Sequence, residues 1–136
     1  MPDDVEIRVR FTPEDDEVSR LHALAFGSSE ALVQPWTKRL SAHSLTWVGA
    51  FDGDVLVGFV NVIWDGGTHA FLHETAAEPD HQRRGIGRSL VQEAVAESRA
   101  AGCAWLHVDY EPHLAEFYRD ACGFRPTEAG LLSLTP

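Results

Sequence analysis

The sequence predicts an α/β domain, and three observations carry that prediction. Runs with apolar residues at every second position alternate along the chain with runs whose apolar residues recur at three and four. Asp52-Gly53 stands between two alternating apolar runs, the signal of a tight antiparallel hairpin. At 136 residues and 44% hydrophobic composition, the chain has enough apolar material for one core and too little length for two. Residues 1–136 are therefore read as a single domain.

The elements follow in order. "EIRVRF" puts Ile7, Val9 and Phe11 on one face of a strand. Thr12 then caps and Pro13 opens a helix that carries Val18, Leu21, His22 and Ala25 on one side and closes at Gly27. A second helix is expected from about Glu30 to Leu40. "LTWVGAFDGDVLVGFVNVIW" supplies the two hairpin strands, and "HAFLHETAA" a further strand ended by Pro79. From Ile86 to Ala101 one apolar or small stripe (Ile86, Gly87, Leu90, Val91, Ala94, Val95, Ser98) marks a helix capped by Gly102. "CAWLHV" is dense enough in apolar residues to be a central strand. A helix with Leu114, Phe117, Tyr118 and Ala121 on one face follows, and "GLLSL" is expected as the last strand.

Charge and composition narrow the function. The net charge is −10, and residues 1–78 hold 13 acids against 5 bases, so nucleic-acid binding is excluded as a main role and a cationic ligand is favoured. No apolar run approaches the ~18 residues of a membrane span, and Met1 to Arg10 is charged rather than signal-like, so a cytoplasmic protein with no membrane role is expected. Cys103 and Cys122 are too few for a disulfide framework and sit in apolar contexts, where buried reduced thiols are expected.

Against that acidity, Arg83, Arg84 and Arg88 crowd around Gly85 and Gly87, between a strand and a helix. Backbone N–H groups at a helix start lack intrahelical partners and lie at the positive end of the dipole, which makes an anion site. Glycines let a phosphate approach the backbone, and arginines add forked donors. A P-loop reading fails, because Gly87 is followed by Arg88-Ser89 with no lysine. A dinucleotide reading has Asp109 as a ribose-binding acid, but Leu90 replaces the third glycine and Pro79 to Arg84 separate strand from glycines.

"QRRGIG" (Gln82 to Gly87) resembles the Gln/Arg-x-x-Gly-x-Gly/Ala signature of the GNAT superfamily of N-acetyltransferases. "GDVLVGFV" before it, with "AWLHV" and "FYRDACGF" after it, resembles the superfamily's neighbouring elements in the right order. The resemblance implies the acyl-CoA N-acyltransferase fold, a mixed, mostly antiparallel central sheet with helices on both sides. It implies acetyl-CoA as cosubstrate, its pyrophosphate on the backbone of Gln82, Arg83, Arg84, Gly85, Ile86, Gly87 and Arg88, and its pantetheine arm against Ala76, Ala77 and Glu78. The implied reaction is direct acetyl transfer to a primary amine; a non-catalytic acetyl-CoA-binding sensor or interaction module is the alternative. Many relatives are dimers, which leaves a homodimer open.

An amine of pKa ~10 must lose a proton to attack, so a base is useful. The superfamily often draws it from the strand before the turn, where Glu74 and His73 lie. A regular strand points these two to opposite faces. Glu74 is slightly preferred, because burial can tune a carboxylate upward, whereas His73 needs no tuning. Tyr118 resembles the tyrosine that protonates the leaving thiolate, although four residues rather than the usual three separate it from Gly123-Phe124, and Glu111 replaces a frequent asparagine. On its apolar stripe with Leu114 and Phe117 it also fits a core aromatic. The acidic first half favours a cationic small-molecule acceptor such as a polyamine or aminoglycoside, with a protein N-terminus or lysine left open.

No metal is expected: His69 and His73 share a strand face but stand ~13 Å apart, too far for one ion, and no spacing brings in His107 or His113. Trp47, Trp64 and Trp105 fit packing positions, and Trp36 is a candidate for a substrate groove.

Overall fold

In the computed structural model, which describes residues 5–27, 32–81 and 85–136, five strands lie side by side in chain order. They are β1 (Val5–Val9), β2 (Ser44–Asp52), β3 (Val55–Trp64), β4 (His69–Ala77) and β5 (Trp105–Val108). The first three pairings are antiparallel and β4–β5 is parallel, so the sheet is mixed and mostly antiparallel, as expected. Its hairpin turns at Gly53-Asp54, with the positive φ of 62° taken by Gly53.

Each face of the sheet has its own core. Helices α1 (Asp15–Ala25) and α2 (Trp36–His43) bury Val18, Leu21, Trp36 and Leu40 against Leu56 and Phe59 of β3. Helix α3 (Ile86–Ala100) buries Ile86, Leu90, Val91 and Ala94 against Val60 and Val62 on the other side. The α3 stripe is the one its sequence spacing predicts. Its close seat depends on Gly58, where an added Cβ would stand 2.9 Å from Ile86 Cγ2.

Five expectations are corrected. Phe11 does not share a face with Ile7 and Val9: β1 ends at Val9, Arg10 takes φ 51°, and Phe11 crosses into the α1/α2 core. Helix α1 starts at Asp15 rather than at Pro13, with Glu14 as N-cap. The second helix starts at Trp36, because Pro35 disfavours helical geometry in the residue before it; Glu30 lies outside the described residues. Strand β5 is not central but the last strand of the described sheet, with Trp105 53% exposed. A strand needs a ladder partner, and "GLLSL" has none among the described residues: residues 125–136 hold no strand, and Leu131, Leu132 and Leu134 are exposed.

Candidate active site at the break in β4

Strand β4 is irregular where the base was sought. His73 pairs with Asn61, yet Ala76 pairs with Phe59, so β4 carries one more residue than β3 across this step. Such a bulge needs a residue outside extended geometry, and Glu74 takes it, at φ 58°. The expected alternation therefore fails. His73 and Glu74 do not diverge to opposite faces; His73 Nδ1 lies 3.8 Å from Glu74 Oε1.

The bulge aims Glu74 at side chains from three other elements. Asn61 Nδ2 of β3 donates to Oε1 at 3.1 Å, and the Ser44 hydroxyl donates to the Asn61 carbonyl, which fixes the amide's orientation. The Arg39 guanidinium of α2 reaches both carboxylate oxygens, at 3.4 and 3.3 Å, through one nitrogen. His22 Nε2 of α1 stands 3.9 Å from Oε2. The Glu74 side chain is 15% exposed.

These neighbours decide protonation. Burial works against the charged form of Glu74, but His73, the Asn61 amide and the Arg39 charge overcome it and hold the carboxyl at about 2. The expected upward tuning is reversed. His73 is raised above the ordinary histidine value, chiefly by Glu74 and against its own burial, with Asp109 adding to the effect. His22 is lowered, chiefly by burial, with Glu74 opposing and Arg39 assisting.

Tyr118 arrives from the other side of the sheet. It is 7% exposed, stacked on Tyr110 at 5.1 Å and edge-on to Phe117 at 4.9 Å. Burial raises its pKa, and a hydrogen bond with the Thr75 side chain opposes that rise. Thr75 follows Glu74 in the bulge, so the tyrosine converges on the same break. The extra residue between Tyr118 and Gly123 is absorbed by a π-helical turn over Glu116–Ala121, where the Cys122 N–H donates to the Phe117 carbonyl five residues back. Tyr118 thus keeps its seat in the core while the chain beyond it makes up the difference.

The β4–β5 ladder ends at Leu72 and Val108, although β4 runs on to Ala77. Beyond that point the two strands no longer bond, which is where an extended chain could lie. Of the expected contacts, Glu78 already donates its N–H to the Val57 carbonyl at 2.8 Å. Ladder alternation then points the peptide groups of Ala76 toward β3 and those of Ala77 away from it.

At the start of α3, Gly85 is the N-cap with φ 76°; among the described residues no side chain caps the helix, and no acidic residue occupies its first turn. The amides of Ile86, Gly87 and Arg88 head the helix, whose bonding starts with the Ser89 N–H donating to the Gly85 carbonyl. The two glycines differ in purpose. At Gly85 an added Cβ meets nothing within 4 Å, so its requirement is conformational; at Gly87 it would lie 3.2 Å from the Phe117 ring, so its requirement is packing. Arg88 is exposed; Gln82, Arg83 and Arg84 lie outside the described residues.

Other candidates are resolved by burial. Trp36 is 1% exposed and belongs to the core, not to a groove surface, whereas Trp105 is half exposed rather than packed. His69 Nδ1 meets His107 Nε2 at 2.7 Å across β4 and β5, but among the described residues no three His, Cys, Asp or Glu side chains could hold a metal ion. Cys103 and Cys122 are free and half-buried. No helix among the described residues is long and apolar enough to cross a membrane. Sequence reasoning missed Arg39, Asn61 and His22 as neighbours of Glu74. A lone amide inside the apolar run "VLVGFVNVIW" and a histidine on the apolar face of α1 were the available signals; Arg39 had none.

Comparison with known proteins bears on this arrangement. Residues 10–124 match the sequence profile of the acetyltransferase (GNAT) family. A mycothiol acetyltransferase from Nocardia farcinica is 40% identical over 58 residues, which is 43% of this chain and 19% of that protein, so the match spans about a fifth of that relative. Among solved structures, an aminoglycoside acetyltransferase from an uncultured soil metagenomic sample superposes with a TM-score of 0.84 at 15% identity, covering 99% of this chain and 98% of that one. A probable acetyltransferase from methicillin-resistant Staphylococcus aureus gives 0.79 at 22% identity, covering 97% and 99%. An aminoglycoside N-acetyltransferase in complex with CoA gives 0.76 at 17% identity, covering 96% and 94%. These likenesses establish the fold.

Proposed function

The chain belongs to the acetyltransferase (GNAT) family, and from that membership we propose that it moves the acetyl group of acetyl-CoA to a primary amine by direct attack. The observation that carries the proposal is the convergence at one bulge of a raised histidine, an ionised carboxylate and a buried tyrosine, beside a strand edge and an uncapped helix start. A solved relative binds CoA, and the start of α3 suits such a ligand: among the described residues no side chain caps the amides of Ile86, Gly87 and Arg88, and Gly85 takes the left-handed turn that aims them. Gln82, Arg83 and Arg84 extend the same turn in the sequence. The backbone of Ala76, Ala77 and Glu78 would line the path of the pantetheine arm.

Acetyl-CoA supplies an activated acetyl group, a thioester. His73, at a pKa above the ordinary 6.5, is the group best matched to accept the proton of an amine that attacks the carbonyl carbon. Glu74 is held ionised and acts through His73, raising and orienting it, so it is a positioning residue. As the C–S bond breaks, the Tyr118 O–H donates its proton to the sulfur. Burial raises the tyrosine, but the same dry surroundings raise the thiol that is formed, which keeps the transfer from becoming steeply uphill. Cytoplasmic placement, from the sequence reading, and a homodimer, from the family resemblance, belong to this reading too.

A panel of primary amines with acetyl-CoA, read by release of the CoA thiol, tests the proposal. Turnover on at least one amine that falls in His73→Gln is the expected result. Tight acetyl-CoA binding by calorimetry with no turnover on any amine would instead favour the non-catalytic binding module.

A further inference from the structure

Arg39 has more donors than Glu74 uses. Only Nη2 contacts the carboxylate, at 3.3 and 3.4 Å, and among the described residues its other guanidinium nitrogens have no acceptor. The side chain is 41% exposed, and its guanidinium carbon sits over the Trp36 ring, 4.3 Å from its centroid. That ring gives the guanidinium a cation–π platform. The indole Nε1 of Trp36 is itself buried without a hydrogen-bond partner. The free edge of Arg39 therefore stands beside the candidate base as a preset fork for an acid group.

We propose that Arg39 reads a carboxylate on the acceptor, so that the acceptor class is an amine with an acid group close to it, an α-amino acid or a chain of that type. This rests on the acetyl-transfer reading given above. Distance supports it. Arg39 Nη2 and His73 Nδ1 lie 3.4 and 3.8 Å from the same Oε1 atom, so they are at most about 7 Å apart. These two atoms face Glu74, and the free donors of each side chain lie farther out; an α-amino acid, with its amine and carboxylate roughly 3 Å apart and a hydrogen bond of about 2.9 Å at each end, is small enough to be held by two groups that bracket one carboxylate.

Charge supports it as well. Glu74 and Arg39 form a short dipole, flanked by His22 and His73 and by the neutral Asn61 amide, with Asp109 farther out. The ligand complementary to a fixed dipole is an opposed one, a zwitterion with its ammonium toward Glu74 and its carboxylate toward Arg39. A polyamine would instead bring a second cation against Arg39. The overall charge of −10 favours cations at a distance, but screening over ~8 Å leaves groups within 4 Å to decide local preference.

The test compares L-amino acids with their own carboxamides, which keep the amine and lose the acid. The wild-type protein is expected to favour the acid in kcat/KM by about tenfold or more, as hydrogen bonds to charged groups allow. Arg39→Gln collapses that ratio toward one whatever it does to the absolute rate, and Arg39→Lys restores part of it. A loss of Glu74 support alone would slow both substrates together and leave the ratio intact. Equal use of acid and amide by the wild-type protein, or a ratio that survives Arg39→Gln, overturns the proposal. If no amine is turned over, the transfer reading fails separately. Calorimetry of N-acetyl-amino acids against their amides, with CoA present, then decides for Arg39: carboxylate binding weakened about tenfold by Arg39→Gln upholds it, and unchanged binding sinks it.

Discussion

The left-handed backbone of Glu74, φ 58°, carries a strain of order 1 kcal/mol for a residue with a Cβ. What that conformation gains is position, because a carboxyl that would otherwise have alternated away from His73 now faces it. With an ionised carboxylate 3.8 Å away, the imidazolium is favoured and His73 titrates above its ordinary value. A base must be neutral to accept a proton, so kcat/KM should rise with pH through the His73 pKa of the wild-type protein. In Glu74→Gln the charge is gone and the His73 pKa falls, so the rising limb moves to lower pH while the plateau drops. A pH profile of CoA release measures both. A limb that stays where it was would mean that His73 is not the titrating base or that Glu74 does not act on it.

At the scale of elements, α3 begins where it does because Gly85 turns the chain with φ 76°, and among the described residues no side chain caps the first amides. Gly85→Ala adds no clash, since nothing lies within 4 Å of the new Cβ, so its effect isolates backbone conformation from bulk and charge. It should cost about 1 kcal/mol in stability and weaken acetyl-CoA by about tenfold as the amides swing off line. Thermal melting and calorimetry read the two effects, and an unchanged affinity would remove the turn from the cosubstrate site. The extent of α3 was legible from its own stripe of Ile86, Leu90, Val91 and Ala94, because a helix needs only local spacing. The hairpin at Gly53 was legible for the same reason. The bulge at Glu74 was not, since it exists only in the register between β3 and β4. Nor was the edge position of β5, which depends on whether the tail returns to pair with it. The π-helical turn that accommodates the extra residue after Tyr118 was posed as a question by spacing alone and answered only by the hydrogen bond from Cys122 to Phe117.

In the whole molecule, Glu74 is where four elements meet: Arg39 from α2, His22 from α1, Asn61 from β3 and its own β4. Its carboxyl therefore couples the α1/α2 layer to the sheet, and the coupling has a pH signature of defined sign. The folded pKa of about 2 lies below the ordinary 4.5, so the unfolded chain binds the proton first. The stabilisation is complete above about 4.5 and is lost as pH falls toward 2. Asp15, lowered by hydrogen bonds from Thr37 at the α1–α2 contact, acts in the same direction. His73 has the opposite sign: being raised, it adds stability below 6.5 that fades as pH climbs through its folded pKa. Urea midpoints for the wild-type protein should therefore fall steeply between pH 4.5 and 2, and Glu74→Gln should flatten that slope without abolishing it, because the Asp15 contribution remains. Equal slopes in the two proteins would show that the Glu74 cluster is a surface contact rather than the joint between the layers.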